Sequence, residues 1–164
     1  MNKSLSGKQV LILASSGVDE SVMSILQRDL LKAGASPKTI STTSGLINSW
    51  KGKAWGIYFT VDANVNATLG SDFDMLIVPS GKLSIDKLAS NEHTSRIISH
   101  FVLAEKPMVF MGESVEIFNG IVDNKEEASC VIEDVSDAEK SVYTAVKYLA
   151  EIESLAEEEF QEAA

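Results

Sequence analysis

Three short, unbroken apolar runs constrain this chain more than any other feature. They are Val10-Leu11-Ile12-Leu13-Ala14, Asp74-Met75-Leu76-Ile77-Val78 and Pro107-Met108-Val109-Phe110-Met111. Each is too short for a helix that must bury itself. Each ends in turn chemistry: Ser15-Ser16-Gly17, Pro79-Ser80-Gly81 and Gly112. A run of this length with no polar alternation fits a strand covered on both faces, as in a parallel sheet flanked by helices.

The intervening segments read as those helices. After Asp19, a candidate helix cap, the residues Val22, Ile25, Leu26, Leu30 and Ala33 recur near 3.6-residue spacing, and Gly34 closes the helix. Ser90-Asn91 opens a second helix with Ile97, Ile98, Phe101 and Val102 inward. Asp134 to Asp137 start a third, with Val142, Ala145, Val146, Leu149, Ile152 and Ala156 along one side. Thr39 to Thr42 and Ser129 to Ile132 add two further strands, and Thr43 to Gly56 is a polar excursion. The expected fold is α/β: a three-layer sandwich around a doubly wound, mainly parallel sheet, flavodoxin-like in layout. With 164 residues, one domain over 1–164 is expected. Residues 151–164 form an acidic, frayed helical extension.

Composition closes off several classes of function. The formal net charge is −10, and the final segment from Glu151 carries six acids (Glu151, Glu153, Glu157, Glu158, Glu159, Glu162) and no base. A mildly acidic body without clustered Lys or Arg argues against a nucleic-acid partner. A single cysteine, Cys130, leaves no internal disulfide and no multi-cysteine metal site. With no apolar stretch of membrane-spanning length and no signal-peptide core, a cytoplasmic protein with no membrane partner is expected.

Ligand sites of doubly wound sheets lie beyond the carboxyl ends of the strands. Three loops converge there: Ser15 to Glu20, Pro79 to Leu83, and Met111 to Val115. The candidate crevice is Ser15, Ser16, Gly17, Ser80, Gly81, Gly112, Glu113 and Ser114. The third loop has the layout of a nucleophile elbow, in which a Ser or Cys sits at a sharp strand-to-helix turn. Its tip here is Gly112, which takes up such a conformation easily but carries nothing that can attack.

Gly17-Val18-Asp19-Glu20, the segment Phe73 to Gly81, and Lys106-Pro107-Met108 together resemble the ThiJ/PfpI (Parkinsonism-associated deglycase) superfamily, of the class I glutamine amidotransferase-like type. The likeness covers about Lys8 to Ile152. It is nearest to the C-terminal domain of large-subunit catalases, where the segment Gly112-Glu113-Ser114-Val115-Glu116 has its counterpart. The resemblance implies a Cys at the elbow tip, a His after it, a Glu in the first helix bonded to the thiolate, and a Gly-Gly pair supplying oxyanion donors. This chain has Gly112, Glu113, Val22 and Ser80-Gly81 at those positions. Thiol peptidase, deglycase and glyoxalase chemistry are therefore not expected.

The remaining candidates have structural readings. Cys130 reads as a core thiol, and His93 with His100 as surface or interface residues lacking a third ligand. Ser15 to Glu20 superficially resembles a flavodoxin phosphate loop, but its two acids repel phosphate, and Gly81-Lys82 lacks the upstream Gly of a Walker loop. Trp50, Trp55, Tyr58 and Phe59 suggest a peripheral hairpin on the sheet edge or a dimer contact. The expected function is non-catalytic: a chaperone-like or scaffolding module, homodimeric by analogy with the superfamily, with a protein partner, no cofactor, no metal and no haem. The alternative is a small-molecule binder or hydrolase with a repurposed crevice using Glu113.

Overall fold

The computed structural model describes residues 4–121 and 129–163, with the backbone alone over 160–163. The first three residues, and Ala164 at the end of the acidic segment, lie outside the described residues. The main sheet contains β1 (Gln9–Leu13), β2 (Ser36–Ser41), β5 (Ala63–Asn64), β6 (Met75–Val78), β7 (Met108–Met111) and β8 (Ser129–Ile132). Its order is β5-β2-β1-β6-β7-β8, and every pairing is parallel. Leaving aside the two-residue edge strand β5, the five longer strands follow the 2-1-3-4-5 order of a flavodoxin-like fold.

The helices divide between the faces as alternation along each strand requires. Val10, Ile12 and Ala14, with Met75, Ile77, Val109 and Met111, pack against helix α1 (Glu20–Lys32) and helix α5 (Ala138–Ala163). Leu11, Leu13, Leu76, Val78, Met108 and Phe110 point the other way. There they meet α2 (Lys82–Ala89), α3 (Glu92–Leu103) and α4 (Val115–Ile121). The core strands are fully buried, which is why their sequences carry no polar alternation. α1 ends as expected: Ala35 N–H reaches the Leu30 carbonyl and Gly34 N–H that of Leu31, with Gly34 at φ +87°.

Four local expectations change. Asp19 occupies the cap position of α1, but its side chain makes no capping bond. The Asp134 to Asp137 segment is a capping turn and not helix: α5 begins at Ala138, and Asp137 Oδ1 accepts from Lys140 N–H at 3.2 Å. α2 arises where only a loop was expected, because the Pro-Ser-Gly turn before it conceals a start at Lys82. Finally, a hairpin of β3 (Leu46–Trp50) and β4 (Trp55–Thr60) does form, but not on the sheet edge. It docks on the loop after β1: Gly17 N–H bonds the Asn48 carbonyl at 2.7 Å and Trp50 N–H the Val18 carbonyl at 2.8 Å.

Candidate functional site

Parallel register sets β1, β6 and β7 side by side, so their three loops meet at one end of the sheet. β7 ends at Met111, Gly112 turns the chain at φ +57°, and a short 3-10 turn (Gly112–Ser114) leads into α4. This is strand, left-handed residue, helix: the frame of an elbow. Gly112 is half-buried.

The space above Gly112 is taken. A β-carbon on it would stand 2.7 Å from the β-carbon of Ser80 and 3.4 Å from Val135 Cγ2. Ser80 is fully buried; its hydroxyl donates to Asp19 Oδ2 at 2.5 Å, and its carbonyl accepts from Asp19 N–H at 3.0 Å. The next residue, Gly81, has φ +131°, and a β-carbon there would meet the Gly17 carbonyl oxygen at 2.5 Å and Asp19 N at 2.8 Å. Only glycine lets the two loops touch backbone to backbone. Gly81 N–H, the donor that could face an oxyanion, points instead to Glu113 Oε1 at 3.2 Å.

The crevice is thus a closed set of bonds, Asp19 to Ser80 and Gly81 to Glu113. Burial pushes the Asp19 carboxyl above the usual range; the Ser80 hydroxyl works against this, and the nearby Glu113 carboxylate adds to it. Glu113 itself is exposed, and Val22 on α1 is 2% exposed within the apolar core.

The candidate serines tie the loops together. Ser15 is buried, with its hydroxyl against Thr42 Oγ1 at 2.8 Å and its N–H on Ser84 Oγ at 2.8 Å. Ser16 Oγ accepts from Asn48 N–H at 3.1 Å. Ser114 is buried and donates to the Val78 carbonyl at 3.0 Å. The structure therefore brings Gly17, Ser80, Gly81, Gly112 and Glu113 together, while the hydroxyls of Ser15, Ser16 and Ser114 are held by structural partners.

Sequence reasoning missed two contributors. Asp19, read as a cap and as one of two acids at the loop's mouth, is a central member of the network. The β8–α5 connection also reaches the site: with Trp50 and Lys51 of the hairpin, Val135 and Ser136 line a cleft of about 280 Å³ beside Asp19 and Val22. The rule that strand carboxyl ends converge, applied to β8, was the available signal for Val135. Glu20 bridges hairpin and helix, accepting from Ile57 N–H at 2.7 Å and Ser49 Oγ at 3.1 Å.

The other candidates sit elsewhere. Cys130 is half-buried on β8, in register with Val109, and desolvation raises its thiol pKa. His93 Nδ1 accepts from Arg96 at 3.2 Å, and His100 Nε2 lies 3.1 Å from Lys106 Nζ. Among the described residues no three His, Cys, Asp or Glu side chains are grouped to hold a metal. None of the described helices is long and apolar enough to cross a membrane.

Residues 8–149 match the model of the DJ-1/PfpI family. Catalase HPII of Pseudomonas putida is 30% identical over 99 residues, which is 60% of this chain but 13% of that protein. The match fits the likeness to the catalase C-terminal domain. Among solved structures, Drosophila melanogaster DJ-1beta superposes with a TM-score of 0.72 at 12% identity, covering 87% of this chain and 90% of that one. A two-domain Anabaena variabilis protein containing dj-1/thij/pfpi-like and ferritin-like domains gives 0.71 at 15% identity, covering 87% of this chain and 50% of that one. At such identities these two structures speak for the fold alone.

Proposed function

The chain belongs to the DJ-1/PfpI family, and within it we propose a member that acts by association and not by catalysis, as a chaperone-like or scaffolding module of the cytoplasm. One observation carries this reading: the groups an elbow enzyme needs are absent or consumed. Gly112 offers no nucleophile, Ser80 fills the space a side chain there would enter, Glu113 takes the Gly81 N–H, and Val22 is core. A site whose donors and acceptors satisfy one another has little left with which to stabilise a transition state.

Association has its own support. The hairpin exposes Leu46, Trp55, Ile57 and Tyr58, each about half or more accessible, in one peripheral element. Aromatic and branched apolar residues of this kind are typical of the buried centre of interfaces, and a homodimer through this element is part of the proposal.

The test is paired. Light scattering should find a dimer that Trp55→Ser with Tyr58→Ser dissociates, and the purified protein should suppress heat aggregation of a client while leaving glyoxal, peptide substrates and hydrogen peroxide unconverted. Turnover that disappears in Glu113→Gln would overturn the proposal. That outcome would favour the second reading, a small-molecule site or hydrolase centred on Glu113, which the cleft beside Asp19 supports.

A further inference from the structure

Both histidines of this chain lie on α3, seven residues apart and so on one face, and each is half-buried. Each also meets a cation. Arg96 Nε donates to His93 Nδ1 at 3.2 Å, and Lys106 Nζ lies 3.1 Å from His100 Nε2. A charged lysine has only donors, so His100 Nε2 is the acceptor and its ring is neutral. α3 ends on a left-handed Glu105 at φ +56°, and Lys106 N–H returns to the Phe101 carbonyl at 3.0 Å, a turn that carries Lys106 back to His100.

The same two cations hold one segment of backbone. Arg96 Nη2 donates to the Val65 carbonyl at 2.9 Å, while Lys106 Nζ donates to those of Phe73 at 2.9 Å and Gly70 at 3.3 Å. Between β5 and β6 the chain runs through two 3-10 turns, Val65–Ala67 and Gly70–Asp72. Their other hydrogen bonds are internal or go to the adjoining Asn64. Among the described residues, Arg96 and Lys106 thus supply the hydrogen bonds that tie 65–73 to the body. The His100 ring lies on the Gly70 backbone, where a β-carbon would meet its Cδ2 at 2.6 Å. Under the segment, Val65 is fully buried and Phe73 nearly so, in one apolar cluster with Ile40, Ile97 and Phe101.

We propose that 65–73 is an acid-released strap. Proton uptake by His93 and His100 frees Arg96 and Lys106 and uncovers the apolar surface that Val65 and Phe73 close. A protonated imidazole has N–H on both nitrogens, so a positive charge stands where a lone pair met a cation. Attraction becomes repulsion at both ends of the strap.

Few other charges bear on the rings. The strap brings Asp72, with Asp74 just beyond it; α4 brings Glu116, and α2 brings Lys82, Asp86 and Lys87. Glu92 and Glu105 stand at the two ends of α3 itself. Lys82 pairs with Asp86, Lys87 donates to the Ser16 carbonyl, and Asp74 accepts from Gln9 N–H. Among the described residues no acid forms an ion pair with either histidine to offset the cation beside it. Burial, and then the Lys106 charge, hold His100 below the ordinary histidine value. The stability it lends is complete above the ordinary histidine range and is lost as pH falls through the folded value.

The strap is independent of whether the chain acts by association. Amide exchange followed by NMR, corrected for intrinsic rates, reads it at Thr68, Asp72 and Phe73, whose N–H groups bond within it. Protection there should fall about ten-fold or more between about pH 7.5 and about pH 5, while β1 and β6 amides keep theirs. His93→Gln/His100→Gln supplies an amide oxygen as acceptor but cannot take up a proton, so its strap should stay protected at both pH values. Lys106→Met should leave the strap open at both. An unchanged native strap, full pH dependence in the double glutamine variant, a closed strap in Lys106→Met, or equal loss of protection in β1 and β6 would overturn the proposal.

Discussion

The β-carbon of Ser80 stands 2.7 Å from the place where a β-carbon on Gly112 would be. The two positions, 32 residues apart in sequence, cannot both carry an ordinary side chain in this backbone. Gly112 and Ser80 stand where the resemblance implies Cys and Gly, and the close approach couples the two positions.

Restoring the thiol alone should be costly. Gly112→Cys is expected to destabilise by about 1–3 kcal/mol through overpacking, with roughly 1 kcal/mol more for a left-handed backbone. Adding Ser80→Gly should recover part of this, giving a favourable coupling of about 1–2 kcal/mol in a double-mutant cycle of urea midpoints. Strict additivity would show that the backbone yields elsewhere.

Rebuilding the acid partner should fail more severely. Val22 is 2% exposed in the core between sheet and α1, so Val22→Glu places a carboxylate among apolar side chains. A loss of about 3–5 kcal/mol at neutral pH is expected, as for an unpaired buried charge. It should shrink toward pH 4 as the new acid takes up its proton, which denaturation at two pH values can read directly.

Asp19 makes a pH prediction with a definite sign. Its folded-state pKa is raised, chiefly by burial, so the folded chain holds this proton more tightly than the unfolded chain does. The stability linked to that proton is fully present below the ordinary aspartate range and is lost as pH rises through the folded value. Asp19→Asn keeps an acceptor for Ser80 but cannot ionise. The variant should therefore gain on the native protein between about pH 4 and about pH 7 in paired thermal melts. A difference that is flat with pH would remove Asp19 from the account.

Glu20 should govern the hairpin without governing the fold. Its Oε1 accepts from Ile57 N–H and Ser49 Oγ, and Gly56 leaves the room for it. Glu20→Ala should speed hydrogen exchange of the Ile57 amide on the order of ten-fold while amides of β1 and β6 keep their protection. Glu20→Gln, which retains an acceptor, should fall between the two.

The fold was legible where burial alone dictates sequence. β1, β6 and β7 announce themselves because both faces are covered, and α1, α3 and α5 because one face is. α2 was hidden by the Pro-Ser-Gly turn before it, and β5 by having only two residues. The hairpin was recognisable from Trp50, Trp55, Tyr58 and Phe59, but its seat was not. That seat depends on backbone bonds to Gly17 and Val18, whose donors and acceptors no side-chain pattern encodes. The site was legible as three converging loops with a glycine apex. The role of Asp19 was not, because the bond from Ser80 exists only once parallel register sets β1 beside β6.

The sheet finishes on two short borders, β5 with two residues and β8 with four. A border of that length offers too few free peptide groups to template a strand from a neighbouring molecule. Strand addition is thus disfavoured at both borders of the six-stranded sheet.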